Sequence, residues 1–234
     1  LSGNTIGDDG AELIGQDLLP THPNLKALYL DENKIGDDGA DQIAQGLLRN
    51  KVLETLCVSK NLIYNSGAQR LAFAIQSSGS LKYFRINDCP IGPVGGRHFG
   101  DMILMNDCLT YLDLSSIDLC RNDDRSGYGS IVAGIAKNKV MTHICLRNNK
   151  INDLMTIDLV QALLGNLSMD HVDLMSNNIP ARWFKPDHYI ETKISRKTPS
   201  VTTRLALIAK AKLDPDAKKY KGKVRDVDEE MDGK

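Results

Sequence analysis

Residues 25–48 read LKALYLDENKIGDDGADQIAQGLL, and the spacing of apolar residues in this stretch recurs along most of the chain. Counted from Leu25 as offset 0, apolar residues stand at offsets 0, 3, 5, 10, 18 and 22, and an asparagine stands at offset 8. The same template fits from Leu53, Leu81, Leu109, Met141 and Met169. Successive starts lie 28 residues apart, except for one step of 32 before Met141. Columns that recur at a fixed period indicate a repeat architecture.

The columns predict a strand, a turn and a helix in every repeat. Offsets 3 and 5 alternate with polar positions, which is the period of a strand with one face in the core. The asparagine at offset 8 follows that strand, where its amide can bond backbone groups that a turn leaves unpaired. Offsets 18 and 22, Ile43 and Leu47 here, place the apolar side of a helix on the far side of the core. Asp37 and Asp38 suit the first turn of that helix, and Gly39 permits close approach there.

A 28-residue period with a full helix in each repeat resembles the ribonuclease-inhibitor-like class of leucine-rich repeat, and the resemblance covers residues 1–179. It implies an α/β leucine-rich-repeat solenoid, or horseshoe, with a parallel sheet on the concave face, helices on the convex face and right-handed connections. About seven repeats are expected. The first is truncated, because Leu1 fits the second strand column of an earlier repeat, so we expect a further part of the natural protein to precede it.

Two repeats depart from the template. In the repeat that begins at Leu81, two prolines and three glycines, at 90, 93, 95, 96 and 100, predict a short or irregular helix. The next repeat carries a four-residue insertion after Leu119, within CRNDDRSGYG at 120–129. Such an excursion maps to the loop that leaves the strand, at one rim of the solenoid. It is either tolerated surface variation or a loop that contacts a partner.

The composition changes at Pro180. We expect residues 180–189 to form a C-terminal cap, with Trp183 and Phe184 covering the last open face of the core. Residues 190–234 are expected to form a tail, extended or partly helical, with an amphipathic helix at 202–213. Residues 180–225 hold thirteen basic and four acidic side chains, and the end, DVDEEMDGK, is acidic. The tail is either solvated or an arm that folds on an acidic partner, protein or RNA. Its candidate binding residues are Arg196, Lys197, Arg204, Lys210, Lys212, Lys218 and Lys219.

Composition and cysteine usage narrow the class of protein. With 41% hydrophobic and 25% charged residues the chain is typical of soluble globular proteins, and no apolar run approaches the roughly 18 residues of a membrane span. The five cysteines are odd in number and include no CxxC pair, which favours an intracellular protein. Cys89 replaces the offset-8 asparagine, so we expect it to be structural.

The exposed face of the predicted sheet, at offsets 2, 4 and 6, is the most promising binding surface. Equivalent side chains of neighbouring strands lie about 4.8 Å apart and so form ladders. Aromatic residues and arginine are typical of interface hot spots. Propensity for sheet structure alone also accounts for tyrosine there, and both interpretations stay open. The candidate partner-binding residues are Tyr29, Tyr83, Arg85, Tyr111, Asp113, His143, Arg147, His171 and Asp173.

The sequence contains little evidence for a catalytic site or a metal site. His143, Cys145, His171 and Asp173 come from neighbouring strands and are zinc-ligand types. A flat, open sheet face does not enclose an ion, so we predict no metal site. The chain contains no phosphate-binding glycine loop, no GxSxG and no HExxH. We predict no catalytic residue and no cofactor.

These features predict a non-catalytic protein–protein interaction scaffold that docks a protein on its concave face, without a membrane, as a subunit of a larger intracellular assembly. The habit of this repeat class favours a cytoplasmic or cytoskeletal setting, with the axoneme of a cilium or flagellum as the leading example. One alternative is a GTPase-activating protein of the Ran GTPase-activator type, with Arg85 or Arg147 as candidates by exposure only. Another is a ribonucleoprotein component, as in an organellar ribosome, that binds through the basic tail.

Overall fold

The computed structural model describes residues 1–180; the cap residues Trp183 and Phe184, the 202–213 helix and the tail-binding residues lie outside this range. Six three-residue strands alternate with helices. The strands are β1 Ala27–Tyr29, β2 Thr55–Cys57, β3 Tyr83–Arg85, β4 Tyr111–Asp113, β5 His143–Cys145 and β6 His171–Asp173. The helices are α1 Gly7–Leu13, α2 Leu19–Thr21, α3 Asp37–Arg49, α4 Asn65–Gln76, α5 Gly92–Met105, α6 Ser126–Lys137 and α7 Asp153–Gly165. A π-helical turn, Ile14–Leu18, joins α1 to α2.

The six strands form one parallel sheet in the order β1-β2-β3-β4-β5-β6, which confirms the predicted α/β solenoid. Every strand pairs with the next in the register that the repeat alignment predicts, for example Tyr83 with Tyr111 and His143 with His171. Consecutive helices pack side by side against one face of the sheet. Within residues 1–180, no helix combines the length and apolar character needed to cross a bilayer.

The core lies between the sheet and the helices. Its strand side consists of the offset-3 residues and its helix side of the offset-18 and offset-22 residues, as predicted. Leu56 and Phe84 on the strands, and Ile43 and Leu71 on the helices, have no solvent exposure. Because each repeat buries its apolar side against its neighbours, stability is shared along the stack.

The offset-8 asparagines bond the backbone of the preceding repeat, as their position after the strand predicts. The Asn61 side-chain oxygen accepts from the Asn33 and Ile35 amides at 2.9 and 3.0 Å. Its amide nitrogen donates to the carbonyls of Leu30 and Val58 at 2.9 and 2.8 Å. Asn61 therefore satisfies buried groups of two successive turns.

Helix starts are capped from the preceding repeat. The Asp8 carboxylate accepts from the amides of Gly36 and Gly39, at the start of α3, at 2.7 and 3.1 Å. Asp37 does the same at the start of α4, where the Tyr64 amide lies 2.7 Å from its oxygen. The sequence predicted only that Asp37 suits its own helix; in the structure its carboxylate also satisfies amides of the next one.

The prediction of a short or irregular helix at 92–105 is wrong, because α5 runs for 14 residues. Its glycines lie where the backbone of α6 approaches closely. A Cβ on Gly100 would lie 2.4 Å from the carbonyl carbon of Ser130, and one on Gly134 would lie 2.7 Å from the carbonyl oxygen of Gly100. The packing of α5 against α6 outweighs the low helix propensity of glycine.

The insertion lies in the connection between β4 and α6, as predicted. It forms a single 3-10 turn, Arg121–Asp123, in which Asn122 has a φ of 55°. Arg121 pairs with Asp118 at 2.9 Å within the same loop. Its role in binding stays a prediction.

Candidate functional site on the open sheet face

The side of the sheet that faces away from the helices, called here the open sheet face, carries a row of four stacked rings. We call Tyr83, Tyr111, His143 and His171 the aromatic ladder. The Tyr83 and Tyr111 rings are nearly parallel, with centroids 4.1 Å apart and planes 11° apart. Tyr111 and His143 follow at 6.2 Å, and His143 and His171 at 5.5 Å. Parallel strands in register force this stacking, because equivalent residues sit side by side.

The open sheet face is less exposed than the sequence predicted. Cys57 has no solvent exposure, Cys145 has 9% and Asp173 has 6%. Ser59 and Ser115 are buried as well. The prediction that this face is exposed is therefore wrong at these offset-4 and offset-6 positions. Cys57, for example, lies between the longer side chains of Tyr29 and Arg85 in the register of the sheet.

The carboxylates of this face are engaged within the protein. Asp173 pairs with the Arg147 guanidinium, and its second oxygen accepts from the Met175 amide at 3.0 Å. Asp113 accepts from the Ser115 amide at 3.0 Å. These acids hold the chain where it leaves the strand, so their first role is structural.

Arg85 and Tyr29 differ from the other candidates. Arg85 is half-buried, and its Nε atom is buried without a hydrogen-bond acceptor. In residues 1–180 it forms no ion pair, whereas Arg147 does. Tyr29 is 49% exposed and pairs in register with Cys57 of β2, which pairs with Arg85 of β3, so it lies in the row of Arg85 and outside the aromatic ladder.

The zinc-ligand types on this face have other contacts. The Cys145 thiol lies 3.4 Å from the Tyr111 hydroxyl, His143 stacks between two rings, and Asp173 is paired with Arg147. Across residues 1–180, no group of three or more His, Cys, Asp or Glu side chains is arranged to hold a metal ion.

The buried thiols have low chemical reactivity. Burial raises the pKa of Cys57 to about 11 and that of Cys120 to about 11. Burial also raises the pKa of Cys89 to about 12 and that of Cys145 above its ordinary value. All five cysteines are unbridged, and Cys108 alone among them is not buried. Since the thiolate is the reactive form, neutral buried thiols make poor nucleophiles.

Thiol labelling tests this arrangement. At pH 8 we expect one of the five thiols, Cys108, to react rapidly with a disulfide reagent, and the other four to react only on unfolding. Raising the pH should increase the labelling of Cys57 only as the pH nears its pKa of about 11. The measurement is the number of fast equivalents, with a Cys108→Ser control that should show none. Two or more fast equivalents in the native protein would contradict it.

A second column of asparagines escaped the sequence analysis. Asn50, Asn106, Asn138 and Asn166 each stand three residues before the start of the next repeat, where the chain leaves the helix. The Asn138 amide nitrogen donates to the carbonyls of Ile103 and Asn106 at 2.6 and 2.9 Å, and its oxygen accepts from the Met141 amide at 2.7 Å. His22 and Ser78 interrupt the column, which hid it. The signal available in the sequence was the shared position of the four asparagines, three residues before the start of the next repeat.

Comparisons with known proteins agree with this architecture. A leucine-rich-repeat family model matches residues 1–15 and 21–44. Ribonuclease inhibitor of Sus scrofa is 31% identical over 117 residues, covering 50% of this chain and 26% of that protein. NACHT, LRR and PYD domains-containing protein 14 of Homo sapiens is 24% identical over 182 residues, covering 76% of this chain and 16% of that protein.

The chain thus spans about a quarter or less of the length of these curated relatives. Among solved structures, the leiomodin-1 actin-binding site 2 matches with a TM-score of 0.50 at 12% identity, over 58% of this chain and 76% of that one, which shows a likeness of fold alone. From the repeat period, the six-stranded parallel sheet and these relatives, the chain has a leucine-rich-repeat fold and is similar to the ribonuclease-inhibitor-like class of these proteins.

Proposed function

We propose that this chain is a non-catalytic scaffold that docks a protein partner on its open sheet face, the concave face expected for the class. Leucine-rich-repeat proteins generally mediate protein–protein interaction. The observation that carries the proposal for this chain is the aromatic ladder, which runs unbroken across four neighbouring strands.

The physical properties of the aromatic ladder suit docking. Tyrosine supplies a large contact area with few rotatable bonds, so binding costs little side-chain entropy. Stacking against neighbouring rings restrains Tyr111 on both sides before a partner arrives. Such preorganisation lowers the entropic cost of association. The polar atoms of tyrosine and histidine also offer hydrogen bonds to a partner.

The surroundings of the aromatic ladder support binding over catalysis. A nucleophile needs a lowered pKa or an adjacent base. Here burial raises the pKa of Cys145, and burial together with the hydrogen bond to Cys145 raises that of Tyr111. The Asp173 carboxylate is paired with Arg147.

Replacement of Tyr111 by alanine tests the docking face. We expect Tyr111→Ala to weaken binding of partner proteins by about 2 kcal/mol, because it removes the central tyrosine of a hot-spot row. The measurement is an affinity pull-down from native extract, read by mass spectrometry under nuclease treatment. Phe73→Ala is the matched control, because Phe73 is an aromatic residue of α4 that is 59% exposed away from the sheet.

Partners that survive nuclease, bind the Phe73→Ala variant and are lost with Tyr111→Ala support the proposal. Retention of the same partners by Tyr111→Ala, with a thermal melt that shows the variant is folded, would refute it. Recovery that depends on residues 181–234 and vanishes with nuclease would instead favour the ribonucleoprotein alternative.

The cellular setting is part of the proposal. We propose a cytoplasmic or cytoskeletal assembly, with a ciliary or flagellar axoneme as the leading example, supported only by the habit of this repeat class. Proximity labelling from the tagged full chain tests it: cytoskeletal or axonemal neighbours are expected. A neighbour set dominated by ribosomal proteins would overturn this setting.

A further inference from the structure

We propose that Arg85 is the anchor for a carboxylate on the partner, so that the open sheet face selects a protein segment carrying an aspartate or glutamate side chain. This inference rests on the proposed function of the open sheet face. It adds the chemistry of the group that the partner must present.

The guanidinium of Arg85 forms no ion pair with any carboxylate of residues 1–180. It stands on β3, two residues after Tyr83 and outside the aromatic ladder, and is half-buried. No carboxylate oxygen of residues 1–180 lies within ion-pair distance of it, and its Nε lacks an acceptor. A partly buried charge without a partner costs free energy, which an incoming carboxylate recovers.

The nearby acids of the protein do not fill this role. Asp113 is the register neighbour of Arg85 on β4, but its Oδ1 accepts from the Ser115 amide. Asp31 interacts with Arg85 electrostatically, but its Oδ1 accepts from the Ser59 amide at 2.8 Å. Both carboxylates are held by backbone amides, and neither forms an ion pair with Arg85 within residues 1–180. The guanidinium hydrogen-bonds the Tyr83 side chain, which leaves its other N–H donors for an external acceptor.

Arg147 shows the contrasting case on the same face. Its Nε donates to Asp173, a carboxylate that is almost fully buried. That charge is already neutralised within the protein. Of these two arginines, Arg85 is the one that forms no ion pair within residues 1–180, so its charge is the more available to a partner.

A protein carboxylate fits this site better than a nucleic-acid phosphate. The Tyr111 ring is stacked between Tyr83 and His143, so both of its faces are covered and it cannot stack a base. Asp31 and Asp113 bring negative charge close to Arg85, and residues 1–179 carry a net charge of −6. A phosphodiester backbone would be repelled, whereas a single carboxylate can sit on Arg85 alone.

Peptide selection tests the anchor directly, because random peptides present acidic, basic and neutral side chains to the same surface. A phage-displayed library of random dodecapeptides is panned on the immobilised full chain. Enriched peptides are then synthesised, and their affinity for the chain is measured by fluorescence polarisation.

We expect the enriched peptides to share an aspartate or a glutamate. Arg85→Gln should weaken binding by about tenfold or more, and Arg70→Gln should leave it unchanged. Arg70 is the matched control because it lies on α4 with its side chain 65% exposed.

A double-mutant cycle separates a direct contact from a general charge effect. Changing the acidic residue of the peptide to its amide should weaken binding to the wild-type chain as much as Arg85→Gln does. Combined with Arg85→Gln it should cause no further loss. The proposal would be overturned if the two changes together reduced the affinity by the product of their separate effects. It would also be overturned if the selected peptides shared no acidic residue.

The failure of this inference can be told from failure of the proposed function. If Tyr111→Ala abolishes peptide binding and Arg85→Gln does not, the docking face stands and the carboxylate anchor is wrong. If neither change affects binding, both fail. A twelve-nucleotide oligouridine probe completes the test: Arg85-dependent binding of this RNA, with no selected peptide, would assign Arg85 to phosphate and overturn the anchor.

Discussion

The Asn61→Ala variant should lose about 3–5 kcal/mol of its free energy of unfolding. The change removes the acceptor for two backbone amides, those of Asn33 and Ile35, and the donor to the carbonyls of Leu30 and Val58. These groups are buried between two repeats, so water cannot replace the lost bonds. Leaving a buried polar group unpaired costs about 1–3 kcal/mol. Urea denaturation, followed by circular dichroism, measures the loss.

Two controls define the cause. Asn65→Ala removes the same side chain from an exposed position four residues later, and should change stability by less than about 0.5 kcal/mol. Asn61→Cys should lose less than Asn61→Ala. The Cys89 thiol occupies the same column, where it accepts from the Asn61 amide at 3.4 Å and donates to Val58 at 3.6 Å. Equal losses for alanine and cysteine would argue against hydrogen bonding as the cause.

Gly100→Ala should lower the free energy of unfolding by about 2 kcal/mol, despite the higher helix propensity of alanine. The added Cβ would lie 2.4 Å from the carbonyl carbon of Ser130 and 2.6 Å from its oxygen. Those atoms belong to the backbone of α6, so no side-chain rotation relieves the overlap. The two helices must separate, and the core between them loses contacts. Thermal and urea denaturation both report this change.

Gly129→Ala is the matched control for this prediction. Gly129 lies within α6, but a Cβ there meets no atom within 4 Å. The substitution should raise the free energy of unfolding by about 0.5–1 kcal/mol, because alanine loses less backbone entropy in a helix. The test is whether the two substitutions change the free energy of unfolding in opposite directions. If both variants were stabilised, the close approach of α5 and α6 would not be a constraint on the sequence.

The stability and binding experiments address different parts of the molecule. Asn61 and Gly100 maintain the stack, while Tyr111 and Arg85 lie on the open sheet face. Asn61→Ala should therefore weaken partner binding only to the extent that it unfolds the protein, whereas Arg85→Gln should weaken binding in a protein that stays folded. Measuring both quantities for each variant separates damage to the fold from damage to the site.

The architecture of this protein follows from its amino-acid sequence alone. A repeated spacing of apolar residues is local information, because each repeat buries the same offsets against its neighbours. It predicted the strands, their register, the buried helix positions and the asparagine turns. It also brought Tyr83, Tyr111, His143 and His171 into one row, since register alone decides which residues become neighbours in a parallel sheet.

The use of individual side chains, in contrast, depends on contacts that form only in the folded protein. The repeat alignment places both Arg85 and Arg147 on the open sheet face, at offsets 4 and 6. Only Arg147 forms an ion pair within residues 1–180, because pairing depends on side-chain geometry across neighbouring strands. The same dependence buries Cys57 on a face that the pattern predicts to be exposed. Gly100 weakens a helix by local propensity, but contact with Ser130 of another helix requires it. A periodic pattern does not show which side chains from distant parts of the chain contact each other. The ion pair of Arg147, the burial of Cys57 and the requirement for Gly100 could therefore be determined only from the folded structure.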